Sequence, residues 1–571
     1  MNCRLYILPL LLIALCASFS SKAQIAYSET NFRAPLDIPL VLAGTFGELR
    51  SNHFHAGIDI KTRGKEGFPV LAIDSGYVSR VKTRPGGYGK ALYITHYNGY
   101  ISVYAHLQGF QKDVARYLLE QQYTAQKFSV DLFPNREQFK FYKGDTIAWT
   151  GNSGGSTAPH LHFEIRDVNT QETINPLLFG FKVKDTTPPT FRSLHIYPLQ
   201  NNSTINGISD TLRLPIRKIS DSNYSLDFGD IVVRGSVGFG IDVFDRLDNA
   251  PNKNGIFSIE LRIDSTLIYR HKMERFAFSE TRYINSLMDF HAKKNYSYKS
   301  QKSFKDPNNK LSVYEYLLDE GRLEFDSSAM HFAEYIIKDT EGNYSTLAFQ
   351  FKSETVLSAP SDKINTSVFL YDTDNRFEEG DLDLFIKRNS LYDDIHFTYS
   401  KRTSSDDFIC DIHRIHNAET PIHKAFSIAL TINSLPDKYR AKALICSVSE
   451  KGKISCLSSI WQNDTLKAKS KSFGNFSAVI DTIAPTLKKS GFYTDLSQAE
   501  YMSFTVEDTL SGVGSYNAYV DGEWILLEYD PKSKKLIHYF DGRVKEGQHD
   551  LEIIVEDVVH NEKRLNLQFV R

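Results

Sequence analysis

Cysteine is scarce in this chain, with 5 in 571 residues. Cys3 and Cys16 fall in the opening stretch, which leaves Cys410, Cys446 and Cys456. Three thiols are too few for a disulfide-built scaffold. None lies between residues 17 and 409, so that region has neither a thiolate nucleophile nor a cysteine metal cage. Charge of one sign is missing too. The 67 basic and 69 acidic side chains give a formal net charge of −2, which removes the electrostatic argument for a nucleic-acid partner. Beyond the opening stretch, no apolar run approaches the length of a bilayer crossing.

The opening stretch itself reads as a leader. Asn2–Arg4 is a short positive segment, and Leu5–Ala17 is apolar but too short to span a membrane comfortably. Ser21 and Ala23 then place small residues where a cut is made. A secretory signal peptide over residues 1–23 is predicted, with an exported mature chain in the periplasm or cell envelope, or secreted. Cys16 makes a poor lipoprotein site, because bulky Leu15 stands where a small residue is needed.

Apolar residues make up 41% of the chain, enough for several cores, and the length suggests about four domains. Three short runs in the first third carry chemistry. They are His55-Ala56-Gly57-Ile58-Asp59, Tyr104-Ala105-His106-Leu107, and His160-Leu161-His162 within GNSGGSTAPHLHFEIR. Taken alone, each is commonplace, since a single histidine is usually a surface or satisfied core residue. Together they offer imidazoles and a carboxylate for a metal with further imidazoles to spare. Zinc favours nitrogen and oxygen donors in a tetrahedral cage, and a catalytic site keeps one position for water.

Leu161, Phe163 and Ile165 alternate with His160, His162 and Glu164, the pattern of a strand whose i and i+2 side chains share a face. Both imidazoles therefore face one cleft. Gly57 argues for a bent strand or loop between His55 and Asp59, and Gly151, Gly154 and Gly155 for a loop that approaches the site closely. His53 reads as structural or as a support for His55, and His96 as an exposed strand-end residue. Arg50 and Asn52 are candidates to line the cleft for substrate carboxylates or carbonyls.

These runs, with LAGTFGELRSNHFHAGIDIKTRGKEG, PVLAIDSGYVSRV and KGDTIAWTGNSGGSTAPHLHFEIR around them, resemble the lysostaphin and LytM type of zinc endopeptidase, the beta-lytic metallopeptidase family. The resemblance covers roughly residues 35 to 185. It implies Zn²⁺ as cofactor, His55, Asp59 and His162 as its ligands, and His106 and His160 as unligated catalytic histidines. It also implies a peptidoglycan substrate cut in its stem or crosslink peptides, with the D-alanine–meso-diaminopimelate bond as the leading target of a D,D-endopeptidase. No H-E-x-x-H helix occurs, so a thermolysin-like site with a glutamate base has no support. Two other readings compete: a non-catalytic envelope scaffold that activates an amidase, and a secreted protease acting on proteins. The ligand set is intact, which argues against the scaffold.

The fold class expected is mainly β. An antiparallel LytM-like catalytic domain over 24–185 carries a helical insertion at about 109–142, where Phe110, Val114, Tyr117 and Leu118 repeat with helical spacing. That helix either walls the substrate groove, docks a β domain or merely decorates the surface. Tandem immunoglobulin-like β-sandwiches are expected at 186–354, 355–480 and 481–571. The first is expanded by a polar, tyrosine-rich insertion near 270–325. Asp185-Thr186-Thr187-Pro188-Pro189-Thr190 recurs as Asp481-Thr482-Ile483-Ala484-Pro485-Thr486. The pair Asp339 and Asn343 recurs as Asp557 and Asn561, with the Asp245–Asn249 turn a weaker echo. These modules are open to wall or to an envelope protein partner, and oligomeric state is not written in the sequence. Finally, ALICSVSEKGKISCLS reads as a hairpin turning at Glu450-Lys451-Gly452, which sets Cys446 opposite Cys456 within disulfide reach.

Overall fold

Alternation builds the first sheet. In the strand His160–Asp167, Leu161, Phe163 and Ile165 are fully buried on one face, while His160, His162, Glu164 and Arg166 share the other. Burying each of the three contributes about 1.5–3 kcal/mol. The strand runs antiparallel between Ile58–Lys61 and Tyr100–Ala105. Leu42–Gly44 lies beyond the first neighbour; Lys90–His96, Gly76–Thr83 and Val130–Leu132 extend the sheet beyond the second. Ile58, Ile60, Val78, Leu92, Ile94 and Tyr104 join the core beneath it. A smaller sheet pairs Thr146–Thr150 with Pro69–Leu71 and Leu107–Phe110. The computed structural model describes residues 27–355, 367–433 and 435–571. The leader, its cut after Ala23 and Cys16 lie outside the described residues.

The insertion helix spans Lys112–Ala125. The Gln111 side chain caps it by accepting from the backbone N–H groups of Asp113 and Val114. Val114, Leu118 and Gln122, four apart, face inward, and Tyr117 packs its ring on Phe139 at 5.4 Å. The outer flank is not decoration. Leu119 and Tyr123 meet Phe128, Trp524 and Leu526, and the Arg543 guanidinium lies 3.9 Å from the centre of the Tyr123 ring. The helix thereby docks the C-terminal β region.

Three further apolar cores follow, drawn from residues 191–351, 369–478 and 487–569. In the last, two four-stranded antiparallel sheets close over one core. Residues 273–313 differ from the polar insertion read in the sequence. Met273, Phe276, Tyr283, Ile284, Leu287 and Met288 are buried against Phe46, Leu49 and Phe54, and Arg275–Phe276 pairs with Thr173–Ile174 at the edge of the first sheet. The apolar residues come singly among polar ones, so average composition hides them. His96 is also corrected. It does end the strand Lys90–His96, but it is buried, bonded from Nε2 to Ser102 Oγ at 2.7 Å and from Nδ1 to Ser75 O at 3.1 Å.

The cysteine hairpin has the expected register, Cys446 opposite Cys456 with Gly452 at φ 77°. The disulfide expected there is not formed, and both thiols are free. Burial pushes Cys446 up to about 12 and Cys456 to about 11, so the thiolate needed to attack a disulfide or oxidant is scarce.

Candidate metal centre

Strand register assembles the site. His162 pairs with Asp59 on one side and with Ala105 on the other, which brings His106 to the same end of the sheet. His106 adopts φ 59° where the chain leaves the large sheet for Leu107–Phe110. A non-glycine residue in that region costs on the order of 1 kcal/mol, a strain held by the flanking strands. His55 follows the short hairpin Leu49–Arg50 with His53–Phe54. Gly57 lets its segment press on the central strand, since a Cβ there would lie 2.2 Å from Phe163 O.

Three donor atoms converge. His55 Nε2 lies 3.0 Å from Asp59 Oδ1 and 3.0 Å from His162 Nδ1, and His162 Nδ1 lies 2.9 Å from Asp59 Oδ1. A tetrahedral ion with ligand bonds of about 2.0–2.1 Å has edges near 3.3 Å, so a small outward shift accommodates it. The outer atoms are all committed elsewhere. His55 Nδ1–H donates to Thr45 O at 2.8 Å, which leaves the Nε2 lone pair facing inward. His162 Nε2–H donates to Glu164 Oε1 at 2.9 Å, which aims Nδ1 inward. Asp59 Oδ2 accepts from Arg50 Nη2 at 2.8 Å. Such outer partners fix the tautomer and direction of metal ligands.

The electrostatics agree. Burial opposes ionisation of Asp59, yet His55, His160 and His162 outweigh it and hold the carboxyl well below its usual range. Burial lowers His55. Burial also works against charge on His162, but Asp59 and Glu164 overcome it and raise the ring to about 9. A point where two carboxylates pull a buried imidazole towards protonation favours positive charge, and a divalent ion supplies it. The donor set fits zinc.

His106 and His160 flank this triangle with ring centres 4.8 Å apart. His106 Nδ1–H donates to Ser153 O at 2.8 Å, and His160 Nδ1–H to Ala158 O at 2.8 Å with Ser156 Oγ at 3.1 Å. Both rings thus commit Nδ1 to a backbone carbonyl, and His160 Nε2 lies 3.4 Å from Asp59 Oδ1. Burial, with His162 and His160 nearby, pushes His106 down to about 3, so it is neutral at neutral pH.

From sequence, Glu164 reads either as a hydrogen-bonding partner within the site or as solvent-facing, and its own partners Arg166 and Tyr88 are not read at all. Glu164 Oε2 accepts from Arg166 Nε at 2.8 Å and Nη2 at 2.6 Å, and Oε1 accepts from the Tyr88 hydroxyl. Burial raises Glu164, but Arg166 and His162 dominate and take it down to about 2. The alternation that gave His160 and His162 extends to Glu164 and Arg166, so this pair was findable. Arg50 sits on Asp59 and Glu48 instead of standing free for substrate. Asn52 Oδ1 is taken by Arg282 and Asn285 from the 273–313 segment. His53 is exposed, with its Nδ1 2.8 Å from Ser51 O.

Two imidazoles and a carboxylate aimed at one point, with two further imidazoles beside them on an antiparallel sheet, define a metallohydrolase centre. A model of peptidase family M23 matches residues 53–176, and the chain belongs to that family, whose members are zinc metallopeptidases. A Zu5-like domain model matches residues 366–481. The DD-carboxypeptidase/endopeptidase Mpg of Neisseria meningitidis serogroup B is 32% identical over 139 residues, which is 24% of this chain and 26% of that protein. The chain therefore spans about a quarter of the length of the Mpg relatives it matches. Lipoprotein NlpD of Yersinia enterocolitica is 30% identical over 116 residues, 20% of this chain and 93% of that protein. The catalytic domain of lysostaphin from Staphylococcus simulans is 23% identical and covers 24% of this chain and 91% of that one, with a TM-score of 0.19.

Proposed function

We propose that this chain is an exported zinc endopeptidase that hydrolyses peptide crosslinks of peptidoglycan, cutting the D-alanine–meso-diaminopimelate bond. The observation that carries the reading is the convergence of His55 Nε2, Asp59 Oδ1 and His162 Nδ1 within 2.9–3.0 Å of one another, backed by Thr45, Arg50 and Glu164. The peptide class rests on the M23 match and on the printed activity of the Mpg relatives. Export rests on the leader pattern. Among the described residues no helix is long and apolar enough to cross a membrane.

Zinc held by those three side chains supplies Lewis acidity and activates water near neutral pH. The chain's own residues do the rest. His106 and His160, each turned by a hydrogen bond at Nδ1 so that Nε2 is the basic nitrogen, accept the proton of the attacking water and return it to the leaving amine. Positioned acid–base groups of this kind contribute about 100- to 10,000-fold in rate. Once protonated, either ring presents an N–H to the developing oxyanion. The division we read is a peptidase domain over 24–185 followed by β modules at 186–354, 355–480 and 481–571. Their separate cores support it. The β modules position the hydrolytic domain on the wall or on an envelope partner.

The test is chromatography of crosslinked muropeptides incubated with zinc-loaded protein. Conversion of dimers to monomers, abolished together with zinc binding in His162→Ala, supports the reading. Degradation of casein with dimers untouched supports a general protease, and inertness to both leaves a scaffold.

A further inference from the structure

A second cluster of ligand-type side chains lies outside the hydrolytic centre. Asp185, Asp245 and Asp339 each bring a carboxylate oxygen within 4.8 Å of the other two. They line a small cavity of about 20 Å³ shared with Thr45, Phe46 and Asn175. Asp245 is 3% exposed, yet its Oδ1 meets no hydrogen-bond donor. Its backbone is bridged to Asn254 at 3.0 and 2.8 Å, and the Asn254 side-chain amide is also buried without a partner. Among the described residues no salt bridge neutralises any of the three carboxylates. An unpaired buried carboxylate costs several kcal/mol, and three together repel.

We propose that Asp185, Asp245 and Asp339 form a structural calcium site, separate from the zinc centre, at the junction of the peptidase domain with the β region after it. The donors are all oxygen, which suits a hard cation rather than zinc. Two oxygens bound to one Ca²⁺ at about 2.3–2.6 Å are never more than about 5 Å apart, and this cluster meets that limit. Asn343 pre-forms the site. Its Nδ2 donates to Asp339 Oδ2 at 2.7 Å and to Asp185 O at 3.3 Å, tying the entering linker to the closing hairpin.

The construction occurs twice in the chain. Asp481, Asp508 and Asp557 form the same triangle in the last module, where Asn561 Nδ2 donates to Asp557 Oδ2 at 2.6 Å and to Asp481 O at 2.9 Å. An ion in the first cluster has a consequence for the zinc centre. Thr45 lines the cavity, exchanges hydrogen bonds with Gly255 at 3.1 and 3.4 Å, and holds His55 through its carbonyl. Calcium therefore braces the β region against the loop that aims His55. This site stands whether or not the substrate proposed above is correct.

The experiment is calcium titration calorimetry of the full-length, zinc-loaded protein, with melting temperature and zinc content read in parallel. Calcium raises the melting temperature of the wild type. Asp245→Asn binds one equivalent fewer, keeps its zinc, and melts higher than the wild type without calcium because one repelling charge is gone. Asp185→Asn gives the same readout should Asp245→Asn fail to accumulate. No calcium binding at millimolar concentration, or equal stoichiometry in wild type and variant, overturns the proposal.

Discussion

Lys532 Nζ donates to the main-chain carbonyl of Ser156 at 3.0 Å, joining residues 376 apart in the chain. The same ammonium reaches Asn152 O, and beside it Lys90 pairs with Glu528 at 2.9 Å. Ser156 Oγ lies 3.1 Å from His160 Nδ1. The tip of a hairpin in the last β module thus pins the glycine-rich loop that orients His160, one of the two histidines proposed to be catalytic.

Lys532→Ala is expected to loosen that loop. A charge-assisted bond at a partly exposed site is worth roughly 1 kcal/mol, so kcat should fall about fivefold with zinc content unchanged. Steady-state kinetics with hydrogen exchange over residues 151–158 checks this. Unaltered kcat together with unaltered exchange would show the contact to be incidental.

Glu164→Gln should weaken zinc without unfolding the protein. The amide cannot match the carboxylate as an acceptor for His162 Nε2–H, and it leaves Arg166 unpaired. Loss of such an outer partner typically costs about 10- to 100-fold in metal affinity. Competition against a chromophoric chelator measures it. Wild-type affinity would contradict the support assigned to this residue.

His106→Ala separates chemistry from binding. His106 touches no donor atom of the triangle, so zinc stoichiometry should stay at wild type while rate falls about 100-fold or more. His160→Ala should behave alike, with some added disorder near Asp59. Zinc lost in step with rate in His106→Ala would make it a ligand or a structural residue instead.

Acid should destabilise the first β region. Burial holds His271 down at about 3 and His195 at about 4, against about 6.5 in an unfolded chain. The unfolded state binds more protons between those values. Their stabilising effect is therefore complete above pH 6.5 and drains as pH falls towards 4, by up to about 1.4 kcal/mol per pH unit for each ring. Melting temperatures from pH 7.5 to 4.5 test this, and His271→Gln should flatten the slope. An identical slope in the variant would clear His271 of the effect.

The five proposed site residues could be named from the sequence because their information is local. Period-two alternation puts His160 and His162 on one face, and the motif context is what proposes His55, Asp59 and His162 as ligands and His106 and His160 as bases. The same alternation held Glu164 and Arg166, whose pairing was overlooked because a carboxylate beside a histidine reads equally well as solvent-facing. Thr45, Ser153 and Ala158 were invisible, since they act through backbone carbonyls, which every residue has. Arg50 and Asn52 read as substrate contacts near the site, whereas Arg50 holds the nearby Asp59 and Asn52 meets the 273–313 segment, which is distant in sequence.

By itself the sequence determined the mainly β class, a helix within the insertion at about 109–142, the cysteine hairpin register, and the echoes of Asp185 in Asp481 and of Asp339 and Asn343 in Asp557 and Asn561. Each rests on periodicity or spacing within a few residues. Only the tertiary structure decided that the helix docks the last module, that residues 273–313 form a core under the His55 loop, and that Asp245 completes a carboxylate triangle. Those outcomes depend on surfaces contributed by segments far apart in the chain, and no local pattern encodes which of them meet.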